Sequence, residues 1–138
     1  MKTKKMTVSK KKKKVWGVFS IYIRTRDCLR TTGCASFGLC ITCGKRYHFK
    51  LLQAGHFIQG RHNANLFSER GVHAQCYNCN VNLKGNTLEY RRKIIELYGE
   101  GYDEVLEAQE RETVKFTIPD LEELEASLRE RIKLLEGK

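Results

Sequence analysis

The sequence predicts an α+β fold, and three observations carry that reading. Two Cys-x-x-Cys pairs, Cys40/Cys43 and Cys76/Cys79, mark the middle of the chain. Between them Tyr47, Phe49 and Leu51 alternate with His48, Lys50 and Leu52, the period-two pattern of a strand. On both sides of this centre the apolar residues recur at helical spacing. At 138 residues the chain is one modest domain with extensions.

Residues 1–14 hold eight lysines and almost no apolar content. Such a segment cannot bury enough surface to offset its ordering entropy, which predicts a disordered basic arm, either a solvated tail or a nonspecific nucleic-acid tether. Trp16, Phe19 and Ile23, with Val15 and Tyr22 alongside, predict a helix over 15–30, its aromatic stripe facing the core and its other side showing Arg24 and Arg30. The first cysteine pair follows, with Gly44 permitting a tight turn and Lys45 and Arg46 placed just after it. The alternating strand then runs into Gly55-His56. Residues 59–70 are polar and read as a loop, with Arg61 and Arg70 at its flanks and His62 within it. A short strand over 72–75 returns to the second pair. Beyond Cys79, Leu88, Tyr90, Ile94, Ile95, Leu97 and Tyr98 predict a helix over 86–98 stopped by Gly99. A second helix covers 102–112. Pro119 opens a last one in which Leu121, Leu124, Leu128, Ile132 and Leu135 form one stripe, with Glu125/Arg129 as an i,i+4 pair. The chain thus divides into an arm over 1–14, a central domain over 15–100 and a helical extension over 101–138.

Charge is divided unevenly. The net formal charge is +10, with residues 1–70 at +14 and residues 71–138 at −4. The first half is therefore expected to meet a polyanion, and the acidic last third is not. No stretch approaches the roughly 18 apolar residues that span a membrane, and the lysine-rich start lacks the apolar core of an export signal. A cytoplasmic location is expected, where paired cysteines are metal ligands rather than disulfides.

Two thiolates two residues apart chelate one ion because a tight turn brings both sulfurs to about 2.3 Å from it. Cys40, Cys43, Cys76 and Cys79 together complete a tetrahedron around one zinc with no open position, so the site is structural. Comparable sites stabilise by about 10 kcal/mol or more. Cys28 and Cys34 have no such partner spacing and read as small buried apolar residues.

Taken jointly, the motifs resemble a family. The segments Phe19-Ser20-x-Tyr22-Ile23-Arg24-x-Arg26-Asp27, Cys40-Ile41-Thr42-Cys43-Gly44, Ala54-Gly55-His56-Phe57, His73-Ala74-Gln75-Cys76-x-x-Cys79-Asn80 and Gly85-Asn86 resemble the phage lambda NinG family, also called Rap, over about residues 15–100. The resemblance implies a zinc-stapled, HNH-like (ββα-metal) nuclease core over 15–100. It implies a structure-specific endonuclease that nicks branched double-stranded DNA, such as Holliday junctions and D-loops, in the host-cell cytoplasm. The disposition of cysteines, histidine and trailing asparagine is similar to that of the phage junction resolvase endonuclease VII. By the same resemblance His56 activates the attacking water, and Asn80 offers an oxygen to a single Mg²⁺, with Mn²⁺ as a substitute. A neutral imidazole near its usual pKa of about 6.5 suits the role of base. Arg24, Arg30, Lys45, Arg46, Arg61, His62 and Arg70 are the expected DNA contacts.

Two positions depart from the HNH pattern. The Asp that commonly precedes the catalytic histidine is Gly55, as in the NinG-like motif itself. The Asn that orients the histidine is Gly71. His73 or His62 is the expected source of the missing metal or orienting contact, the alternative being a surface or phosphate-contacting role. The same vacancies define a second expectation, a noncatalytic zinc-containing DNA-binding protein. The final helix is expected either to pack back on the core or to pair with a second copy as a homodimer suited to a symmetric junction.

Overall fold

The computed structural model describes residues 6–137. Helix α1, Val8–Thr32, opens with Thr7, whose hydroxyl accepts from the Lys10 N–H at 3.2 Å, and closes on Gly33 in the left-handed region at φ 75°. It starts well before the expected residue 15, so residues 8–14 are helical rather than a disordered arm; residues 1–5 of that arm lie outside the described residues. Two things explain the difference. Lysine is a good helix former, and Lys11 finds a carboxylate, its Nζ lying 2.8 Å from Glu125.

Two short antiparallel pairs follow. Strand β1, Phe37–Leu39, pairs with β2, Arg46–His48, around the first cysteine turn, where Gly44 takes φ 73°. The continuous strand expected through Leu52 is broken by a 3-10 turn over Phe49–Leu51, capped by His48 Nδ1 accepting from the Lys50 N–H. The break lets the chain leave the β1–β2 pair and enter a second one. There β3, Leu52–His56, pairs with β4, Val72–Cys76, with His56 opposite Val72 and Gly55 opposite His73. The loop between them contains a short helix, α2, Asn63–Leu66, that the polar sequence did not reveal. A π-helical turn over Asn78–Asn82 carries the chain from the second cysteine pair towards α3, Thr87–Tyr98, which ends at Gly99 as expected. Helix α4, Tyr102–Gln109, is shorter than expected, and α5, Ile118–Glu136, begins with a Thr117/Asp120 capping box and Pro119.

The core has two main parts. Val15, Val18, Phe19, Tyr22 and Ile23 of α1 meet Ala54 and Val72 of the β3–β4 pair and Leu121 and Leu128 of α5. Leu124, Ile132 and Leu135 complete that contact, so the stripe of α5 is covered by α1 of the same chain. On the other side Phe57, Tyr90, Ile94 and Leu106 tie α3 and α4 to the hairpin. Asp27 and Arg26 lock α1 to β4. The buried Asp27 Oδ2 accepts from the Ala74 N–H at 2.8 Å, while Arg26 donates to its neighbour Asp27 and to the carbonyls of Glu69 and Val72. Burial opposes ionising Asp27, but Arg26 and the backbone N–H outweigh it and hold its pKa below the ordinary value.

Among the described residues, no helix is long and apolar enough to cross a membrane.

Candidate functional site

The four expected zinc ligands converge. The sulfurs of Cys40, Cys43, Cys76 and Cys79 all lie within 4.8 Å of one another, and Cys43 and Cys76 are 3.8 Å apart. A tetrahedron with metal–sulfur bonds of about 2.3 Å has sulfur–sulfur edges near 3.8 Å, so the set fits zinc. The N–H of Cys76 donates to Cys40 Sγ at 3.3 Å, and Asn86 Nδ2 donates to Cys79 Sγ at 3.7 Å. Such donors around sulfur orient the ligands and favour thiolates. Cys28 is buried as expected, and burial pushes its thiol up to about 11. Cys34 is exposed, contrary to expectation, because it sits in the turn after α1.

His56 ends β3 and is 8% exposed. Its Nε2 lies 3.1 Å from the Leu66 carbonyl oxygen in α2. A carbonyl only accepts, so Nε2 carries the hydrogen and Nδ1 keeps its lone pair. Among the described residues Nδ1 has no hydrogen-bond partner, nor is it one of the fully enclosed polar atoms. The ring stacks on Trp16 at 5.0 Å between centroids and 15° between planes. Burial lowers the pKa of His56 and the Arg61 charge adds to that, while the Leu66 carbonyl works against it. The result is a neutral imidazole held in one tautomer with a basic nitrogen left over. The orienting work expected of an asparagine at position 71 falls to Leu66 and Trp16. A Cβ at Gly71 would meet Ser68 Oγ at 2.8 Å, so the serine that accepts from the Gly71 N–H would have to turn aside.

Gly55 is equally determined. A Cβ at this position would come within 2.0 Å of Gln75 Oε1. Gln75 is fully buried and held by donating to the Gly85 carbonyl at 2.8 Å and to Thr42 Oγ1 at 3.2 Å. The space a side chain at position 55 would need is thus filled from the neighbouring strand, on the face of the hairpin opposite His56.

The remaining expected residues separate. Arg61 follows Gly60, adopts φ 51° and lays its guanidinium over Trp16 at 4.6 Å. Arg24 lies 4.3 Å over Phe49 and donates to Ser20. Asn80 donates through Nδ2 to Gln53 Oε1 at 2.7 Å and has no partner for its own oxygen among the described residues. These three share one depression of about 370 Å³ with Trp16, Ser20 and Gln53. The other expected contacts point elsewhere. Arg30 pairs with Asp27 at 3.6 Å, Arg46 covers Phe37, Arg70 covers Tyr98 and Tyr102, and Lys45 is exposed on the first cysteine turn. His62 is exposed beside Glu110.

His73 requires a correction. Nδ1 lies 3.2 Å from the Tyr90 hydroxyl and Nε2 lies 2.7 Å from the Tyr98 hydroxyl. Tyr90 donates onward to the Gly55 carbonyl, so His73 Nδ1–H donates to Tyr90 and Nε2 accepts from Tyr98. Neither nitrogen is free to ligate a cation, and burial pushes the pKa down to about 3. His73 is a core residue that ties the hairpin to α3.

Trp16, which the sequence placed in the core, is half-buried against that core and also stacks on His56. The signal was available in the i,i+4 stripe Lys12–Trp16–Ser20–Arg24, polar or basic at every other member.

A family model described as Bacteriophage Lambda NinG protein matches residues 1–138. No curated protein and no solved structure matches the chain.

Proposed function

The chain belongs to the bacteriophage Lambda NinG family, and from that premise we propose that it is a structure-specific DNA endonuclease acting on branched recombination intermediates in the host cytoplasm. The observation that carries the reading is His56, a neutral histidine oriented by Leu66 and Trp16 with Nδ1 left unpartnered at the end of β3. The hairpin β3–β4, the cysteine cluster and the following helix α3 make an HNH-like ββα core in this reading. Zinc, held by Cys40, Cys43, Cys76 and Cys79, fastens the two turns that flank the hairpin.

In the hydrolysis His56 Nδ1 takes a proton from water as its oxygen bonds to phosphorus. The opposite P–O bond breaks, and the leaving oxygen takes a proton from solvent. Nε2–H stays on the Leu66 carbonyl, which stabilises the imidazolium that forms. Arg61, whose charge acts on His56, is a cation available to the charge that builds on the phosphate oxygens.

The residues do not form a resident Mg²⁺ site. Asn80 offers one amide oxygen, and the cysteine cluster is the one group of potential metal ligands among the described residues. Mg²⁺ demands six hard oxygen donors, commonly water and substrate phosphate, and these residues alone do not supply them. The direct test is a labelled four-way junction beside a linear duplex of the same sequence, with Mg²⁺ or Mn²⁺ added. Selective nicking of the junction supports the proposal, and equal cutting of both would make it a nuclease without structural preference. Salt-sensitive binding without any cutting would favour the noncatalytic reading. Gly55, held as glycine by Gln75, supplies no carboxylate before His56 and stands with that second reading.

A further inference from the structure

The basic residues of α1 divide into two sets. Lys11 faces α5 and pairs with Glu125. Lys12, whose Nζ donates to the neutral Asn63 Oδ1 at 2.6 Å, and Lys13 lie off that contact, and with Ser9, Trp16, Arg61 and Leu66 they line a second depression of about 300 Å³. That depression and the one holding Arg24, Ser20 and Asn80 share Trp16 and Arg61. The two therefore lie end to end along α1, meeting at Trp16 and the Arg61 guanidinium that covers it. No Asp or Glu lines either half. Among the described residues no carboxylate pairs with Lys12, Lys13, Arg24 or Arg61, although seven other basic side chains (Lys11, Arg26, Arg30, Arg91, Arg92, Lys93, Arg129) and Arg131 do have one.

We propose that this groove is a track for one unpaired DNA strand, with Lys12 and Lys13 holding phosphates on one side of Trp16, Arg24 on the other, and Trp16 itself stacking a base. The inference rests on the reading that DNA is the substrate, and it adds the part of the substrate that α1 takes. A cationic groove interrupted by a half-buried aromatic ring is the combination that binds single strands, because every base has a face to stack while the backbone meets fixed charges. Along a helix that rises about 1.5 Å per residue, Lys13 to Arg24 spans roughly 16 Å, the length of a few nucleotides. In the free protein Arg61 rests on the indole. A strand entering the groove draws that guanidinium to a phosphate and leaves the ring to a base. A D-loop carries a displaced, unpaired strand, and the track takes such a segment past Trp16, whose ring stacks on His56.

Trp16 is the chain's one tryptophan, so its emission reads the groove directly. The zinc-loaded full chain is titrated with a twelve-nucleotide single strand and with a duplex of equal length, without added Mg²⁺. Binding of the single strand is expected to change Trp16 emission and to be tighter than binding of the duplex. Four phosphate contacts give a single-strand salt slope of about −2.8, so raising salt from about 50 to about 200 mM weakens binding about 50-fold. Lys12→Ala/Lys13→Ala removes two contacts, and the same change in salt then weakens binding only about 7-fold. Arg92→Ala/Lys93→Ala on α3 serves as the control and is expected to leave both the affinity and the slope unchanged. Retained zinc and an unchanged far-ultraviolet circular dichroism spectrum show that each variant folds. An equal loss in the α3 control, an unresponsive Trp16, or duplex binding as tight as single-strand binding overturns the inference. Since the readout is binding, a protein that fails to cut can still pass this test, and one that cuts junctions can fail it.

Discussion

Substituting Gly55 with alanine probes whether this position is a lost carboxylate or a required glycine. The added Cβ would lie 2.0 Å from Gln75 Oε1 and 3.0 Å from both Gln75 Cβ and Cδ. A flexible side chain at the surface would swing aside, but Gln75 is 0% exposed and makes two hydrogen bonds through Nε2. Moving it sacrifices two bonds of about 1 kcal/mol each, and overpacking adds about 1–3 kcal/mol, for a total of roughly 3–5 kcal/mol. Urea unfolding of the zinc-loaded protein measures this. The matched experiment is Gly55→Ala/Gln75→Ala, in which the obstruction is gone. The two substitutions are expected to compensate by about 1–3 kcal/mol rather than add. Gly55→Ala within about 0.5 kcal/mol of wild type, the usual range of a harmless surface change, would refute the reasoning. It would mean that Gln75 does not hold the space next to Gly55.

Three further outcomes are expected. His73 is depressed in the fold to about 3, so the unfolded chain takes up its proton first. Stability is therefore full above about 6.5 and is lost as pH falls towards 3, by roughly 5 kcal/mol from this group, so denaturation of His73→Phe should show a correspondingly shallower acid dependence than wild type. Stripping zinc with a chelator, or replacing Cys76 with serine, should remove on the order of 10 kcal/mol and unfold the hairpin region, seen as loss of near-ultraviolet dichroism. Leu121→Ala, fully buried between α5 and α1, should cost about 2–5 kcal/mol, whereas Leu134→Ala on the exposed side of the same helix should stay within about 0.5 kcal/mol.

The parts of the fold that were legible in the sequence are those in which a local pattern has only one physical solution. Paired cysteines must converge on one ion, an apolar stripe such as that from Leu121 to Leu135 must be covered, and Gly99 must end a helix. What the sequence did not disclose depends on partners distant along the chain. Lys11 looks like one of a run of solvated charges until Glu125, from the opposite end of the chain, arrives beside it. His73 has the residue type of a metal ligand, and only the packing of α3 brings two tyrosine hydroxyls onto it. Trp16 reads as core because helical periodicity reports which face is apolar, not that the face runs out onto a histidine at the end of a strand. Gly55 looks like a vacancy in a motif, whereas Gln75 occupies the space a side chain would need.

The central claim is that His56, oriented through Leu66 and Trp16, removes the proton from the attacking water. The most direct measurement is the rate at which wild type and His56→Ala nick a labelled four-way junction, with binding and zinc content followed in the same preparations. Loss of a general base is expected to slow cutting about 10²-fold or more, with binding and zinc unchanged. Cutting by His56→Ala at the wild-type rate would contradict the claim and place the base on another residue.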